Sequence, residues 1–116
     1  MSKSRSQSER RLHPRYPVDT SATVYFIDVR AKVCGRILDV SMGGCRIRTD
    51  GRFPVGIYRR VETEFKVEGV PFRLGGVVQA IHDRSTVGIR FLDLSPRKCE
   101  HLAQLMAEIA ASANHA

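Results

Sequence analysis

Apolar and polar residues alternate in short runs along most of the chain. The clearest run is Arg60–Glu68, with Val61, Thr63, Phe65 and Val67 on one face and Glu62, Glu64, Lys66 and Glu68 on the other. A period of two places such residues on opposite faces of a half-buried strand. Ala22–Val29 is β-branched and aromatic, and Lys32–Val40 predicts a second strand. Cys45–Arg48 alternates apolar and charged, and Phe72–His82 and Val87–Phe91 complete six strands. Gly69 sits where a hairpin turns, and Asp83–Thr86 is a polar turn. Six short strands with one alternating face suggest a small barrel or a tight sandwich.

The pattern changes after Leu94. Ser95-Pro96 reads as an N-cap followed by proline at the first helical position. Cys99, Leu102, Ala103, Met106, Ile109 and Ala110 then recur at helical spacing. This predicts one amphipathic helix over 96–112, whose apolar stripe either plugs the barrel or forms a dimer interface. The expected fold class is all-β with a C-terminal helix. Residues 1–9 form a polar basic tail without apolar content and are expected to be flexible. Arg10–Pro17 contains Pro14 and Pro17, each of which disfavours helix at the residue before it, so an extended arm over 10–17 is expected. The barrel then spans 18–94.

A length of 116 residues fits one domain. No apolar run approaches the ~20 residues that a membrane helix needs, so membrane insertion is not expected. Three cysteines without CxxC spacing argue against a disulfide framework or a zinc ribbon, and the expected compartment is a reducing cytosol. Each is expected to be a buried apolar thiol. The histidines are scattered, Ser41 lies outside a GxSxG elbow, and no paired carboxylates stand out, so the chain is read as a non-enzyme and no metal site is expected.

The net charge of +7 comes from 15 arginines and 4 lysines against 12 acids. Arginine offers a planar fork of donors that matches phosphates and the guanine edge. Five basic residues and one acid lie between Met1 and Arg15. Arg11 and Arg15 face the same way in an extended segment, up to ~13 Å apart at ~3.3 Å per residue, with Arg10 adjacent. From the residues alone, this arm is either a solvated tail or a two-point grip on phosphate oxygens and a guanine O6/N7 edge. Asp39 and Ser41 close a strand two residues apart. If the strand persists they share a face and can accept from the N1–H and N2–H of guanine. Gly43 and Gly44 allow positive φ and close approach of a ligand. Alternatively, the cluster is a turn closed by Asp and Ser side chains.

RRLHPR (Arg10 to Arg15) and DVSMGG (Asp39 to Gly44), with VGIRF (Val87 to Phe91) before the closing helix, together resemble the PilZ domain family, with its RxxxR arm and [D/N]xSxxG motif. The resemblance covers Arg10 to about Ala110, with a PilZ-like domain over 10–113. It implies a six-stranded antiparallel β-barrel that receives the bacterial second messenger cyclic di-GMP and signals to a downstream protein partner, as a monomer or a dimer. It implies that Arg11 and Arg15 contact phosphates and guanine Hoogsteen edges. Asp39 and Ser41 hold the donor edge of guanine, and Gly44 keeps the backbone clear. An extra arginine at Arg10 implies a stacked pair of ligands. Some family members stack a large aromatic from the region before the last strand. This chain has Ala80-Ile81-His82-Asp83 there and no tryptophan, so only His82 could serve. Two competing readings are a basic barrel for single-stranded nucleic acid and a docking module without ligand. Nucleic-acid surfaces need exposed aromatics. Phe65, Phe72 and Phe91 fall on the expected inner face, which leaves Tyr16, Tyr25 and Tyr58. No DNA is expected as a partner.

Overall fold

In the computed structural model, which describes residues 15–67, 69–92 and 94–114, six strands are followed by one helix. The strands are β1 (Tyr16–Phe26), β2 (Ala31–Val40), β3 (Gly44–Thr49), β4 (Arg60–Val67), β5 (Val70–His82) and β6 (Thr86–Phe91), and the helix is α1 (Pro96–Asn114). Neighbouring strands run antiparallel in the order β1-β2-β3-β6-β5-β4. Pairing of β1 with β4 closes the sheet into a barrel. Closure leaves no sheet edge to be covered. The barrel anticipated from the sequence is therefore the one observed.

Alternation works as expected in β4. Val61, Thr63 and Phe65 are buried, and Glu62 and Glu64 between them are half-buried on the outer face. Phe65 stacks on Phe72 from β5 with ring centroids 5.6 Å apart. Phe26 and Phe91 are also buried, so all four strand phenylalanines face inward. Gly69 takes φ +82° at the β4–β5 turn, a conformation that favours glycine.

The arm and the first strand divide differently from the expectation. Tyr16 and Pro17, assigned to the arm over 10–17, already pair with Val40 and Asp39 and belong to β1. Proline is tolerated there because a strand's first residues can lack a ladder donor. At the other end Phe26↔Ala31 is the last β1–β2 pair, so Ile27–Val29, expected in the strand, lie in the reversing turn. The rest of the arm, including Arg10 and Arg11, lies outside the described residues.

The helix opens on its predicted cap, with the Lys98 N–H donating to Ser95 Oγ at 3.2 Å. Leu102, Leu105 and Met106 join the barrel's hydrophobic core. His101 meets Phe72 edge-on. Ala103, assigned to the apolar stripe, is exposed, and Leu105 takes its place. Helical residues three or four apart share a face, and Leu102, Leu105, Met106 and Ile109 satisfy that spacing without Ala103. Among the cysteines, Cys45 is buried, Cys99 is half-buried and Cys34 is exposed. Cys34 lies on the outward face of β2, between half-buried Val33 and buried Gly35 and opposite Thr23 of β1.

One polar atom sits inside this apolar shell. Thr63 is fully buried, and its hydroxyl has no hydrogen-bond partner among the described residues. An unmade bond at a buried hydroxyl costs about 1–3 kcal/mol. Thr63→Val keeps the shape and removes the orphan donor, so urea unfolding should show a gain of about 1 kcal/mol. A loss of stability would mean that the hydroxyl is satisfied in solution.

Candidate functional site

The β2–β3 hairpin carries the DxSxxG segment, and a bulge decides where its aspartate points. Ile37 pairs with Ile47, and Val40 pairs with Cys45, all four facing the core. Between those pairs β2 has two residues, Leu38 and Asp39, where β3 has only Arg46. An extra residue in one strand re-aims the side chains that follow it. Asp39 would share the inward face of Ile37 in a regular strand. The bulge sets it opposite Arg46 on the outer face instead.

Two arginines close on that carboxylate. Arg15 Nη1 donates to Asp39 Oδ1 at 3.0 Å. Arg46 donates to Oδ2 from Nε at 2.7 Å and lies 2.6 Å from it through Nη2. The Asp39 side chain is 8% exposed, while those of Arg15 and Arg46 are 57% and 46% exposed. A carboxylate this buried needs paired, hydrogen-bonded charge. Both guanidiniums keep donors turned to solvent. The cluster carries one excess positive charge, and exposed Arg90 of β6 lies across from Gly44 in register. The patch therefore combines acceptor oxygens with unused guanidinium donors, which suits an anion with hydrogen-bonding bases.

Ser41 does not share Asp39's face. The strand ends at Val40, and the hydroxyl serves the turn. Ser41 Oγ accepts from the N–H groups of Gly43 and Gly44, both at 3.2 Å, and donates to the Gly44 carbonyl at 3.3 Å. The Ser41 N–H reaches the same carbonyl at 2.8 Å. Side-chain closure of a turn by serine is a known local alternative to strand pairing. Gly44 also differs from its expected part. Its backbone is in β3 without positive φ, and a Cβ there would lie 2.1 Å from the Ile89 carbonyl oxygen of β6. Its small size is required by the neighbouring strand. Gly43 contributes its carbonyl, which accepts from the Phe91 N–H at 2.9 Å.

The structure thus brings together Arg15, Asp39, Ser41, Gly43 and Gly44 at one end of the barrel. His82 is exposed at the far end of β5, opposite Thr86. Arg46 joins the site as well, although in the sequence it stands out only as the charged member of an alternating strand. The signal was present: a turn that sets Val40 opposite Cys45 also brings Arg46 to Asp39.

Two other features bear on chemistry. The Cys45 thiol faces the core, and its pKa is raised far above the ordinary value, first by burial and then by the Asp39 charge, with Arg15 opposing. Such a thiol is protonated at neutral pH and inert as a nucleophile. A depression lined by Tyr25, Phe26, Arg30, Ala31 and Lys32 lies at the opposite end of β1 and shares no residue with the Asp39 cluster.

The PilZ domain model matches residues 9–108. The chain belongs to the PilZ domain family. No curated protein matches the sequence. Solved structures with the same fold include the PilZ domain with c-di-GMP of YcgR from Escherichia coli. It is 17% identical with a TM-score of 0.77, over 91% of this chain and 95% of that one. The PilZ domain of CeSA from a cellulose-synthesizing bacterium is 18% identical with a TM-score of 0.68, over 84% and 98%. The K. pneumonia MrkH–c-di-GMP complex is 14% identical with a TM-score of 0.73, over 89% of this chain and 53% of that one. Within this PilZ domain no described helix is long and apolar enough to cross a membrane.

The close approach at Gly44 makes a direct test of its role. Gly44→Ala should lower the ligand-free stability by about 1–3 kcal/mol or more in denaturant unfolding, because the added carbon meets backbone. A glycine kept only for ligand clearance would leave that stability unchanged.

Proposed function

We propose that this PilZ domain is a receptor for cyclic di-GMP. The observation that carries the reading is the outward-aimed carboxylate of Asp39, held by Arg46 beside the solvent-facing guanidinium of Arg15. Cyclic di-GMP offers phosphate oxygens to guanidinium forks and a guanine donor edge to a carboxylate. Arg11 and Arg15 take the phosphates and the guanine Hoogsteen edge, and Asp39 accepts from the N1–H and N2–H groups. Ser41 acts by holding the turn beside Asp39, and Gly43 and Gly44 give that turn its compactness. Arg10 adds a cation for a second, stacked ligand.

In this reading the arm is drawn across the barrel end beside Asp39 when the messenger supplies counter-charge. The composite of arm, ligand and barrel is then the surface that a protein partner reads, and partner and messenger reinforce each other's binding. The three free cysteines suit a reducing compartment. A nucleic-acid surface has less to stand on. Tyr25 lies under Arg73, whose guanidinium carbon is 4.4 Å from the ring centroid, so that ring is not open to a base.

Calorimetry with cyclic di-GMP tests the proposal. The expected result is saturable binding, with two ligands per chain. Arg15→Ala and Asp39→Ala should each cost about 1.5–3 kcal/mol, roughly 10- to 150-fold in affinity, with the fold retained. Wild-type binding that both variants reproduce would place the site elsewhere. No heat at high micromolar ligand, or tighter binding of a short oligonucleotide, would reject the receptor reading.

A further inference from the structure

The two arginines on Asp39 differ in how firmly they are held. Arg46 lies within β3, paired with Asp39 of β2 on one side and with Gly88 of β6 on the other. It grips a single oxygen, Oδ2, through two nitrogens at 2.7 and 2.6 Å. Arg15 precedes the first paired residue of β1 and makes one contact, at 3.0 Å, to the other oxygen. A carboxylate has about four acceptor sites. With Arg46 on Oδ2, the acceptor capacity left for a ligand is at Oδ1, and Arg15 covers it.

From this asymmetry we infer that Arg46 is the positioning residue of the site. It holds Asp39 aimed and charge-balanced while Arg15 leaves Oδ1 for the ligand. The inference rests on the cyclic di-GMP reading and extends it. Binding is then an exchange: Arg15 trades a carboxylate for a phosphate or a guanine edge, and the guanine N1–H and N2–H take its place on Oδ1. Arg46 touches no ligand atom. Its contribution is to recognition of the guanine donor edge, through Asp39, and not to the grip on phosphate.

The two contributions separate with a ligand that lacks one donor. Cyclic di-inosine monophosphate keeps the phosphates, O6, N7 and N1–H and lacks the exocyclic amine. Both ligands are titrated into wild type, Arg46→Met and Arg46→Lys, with thermal melts as the check on folding. Wild type should prefer cyclic di-GMP. Arg46→Met should weaken cyclic di-GMP about tenfold and the inosine analogue less than about threefold, so the preference narrows. Arg46→Lys keeps the charge and a donor and should retain part of the preference. It carries the same test if Arg46→Met does not fold. Equal losses for both ligands would make Arg46 a simple counter-charge to phosphate and overturn the inference. So would unchanged or tighter binding, the latter meaning that Arg46 competes with guanine for Asp39. If wild type binds cyclic di-GMP but the variants keep its preference, only this inference falls. If wild type binds neither nucleotide, the receptor reading falls and takes the inference with it.

Discussion

A carboxylate removed from water must be paired, and the pairing at Asp39 organises this end of the barrel. The charge reaches the outer face only because β2 carries one residue more than β3 between two inward-facing pairs. Turned inward beside Ile37, the same carboxylate would enter the hydrophobic core and bear its desolvation there. Turned outward, it ties the start of β1, through Arg15, to the β2–β3 hairpin. The bulge therefore serves the fold and creates a hydrogen-bonding surface in the same step.

The turn beside it is built for rigidity. Ser41 satisfies the N–H groups of Gly43 and Gly44, and Gly44 lets β3 press against the backbone of β6. The Asp39 carboxylate is thus flanked by a closed turn on its own strand and by a fixed arginine on the next. Arg15 alone enters from the less constrained side. A site with one yielding partner and several fixed ones can open without reorganising the barrel, which keeps the cost of ligand entry local.

The residues that obey a simple period were legible from the sequence. β4 alternates cleanly because one face is core and the other is water, and the helix cap follows from Ser95-Pro96. The start of β1 was hidden by prolines, which signal an arm even though Pro17 sits where a strand tolerates it. The bulge left no local signature, since it depends on how β2 aligns with both neighbours. The common face assigned to Asp39 and Ser41 fails for another reason, that β2 ends at Val40 and the Ser41 hydroxyl closes the turn, although both belong to the same end of the barrel. The packing role of Gly44 is hidden in the sequence because the strand that crowds it, β6, lies more than 40 residues further along the chain. Arg46 could have been found by folding the hairpin on paper, because a closed turn at Ser41–Gly44 brings it to Asp39. The charge pattern also carried over only in part, with Arg15 at the cluster and Arg10 and Arg11 outside the described residues.

Side-chain NMR of the arginine Nε–H groups during titration with cyclic di-GMP tests the central claim most directly. The Arg15 signal should move with the fraction bound while Arg46 keeps its carboxylate-bound environment, with backbone shifts centred on Asp39–Gly44. Saturating ligand that leaves Arg15 and the Asp39–Gly44 amides unmoved, while shifting residues around the β1–β2 turn, would contradict it.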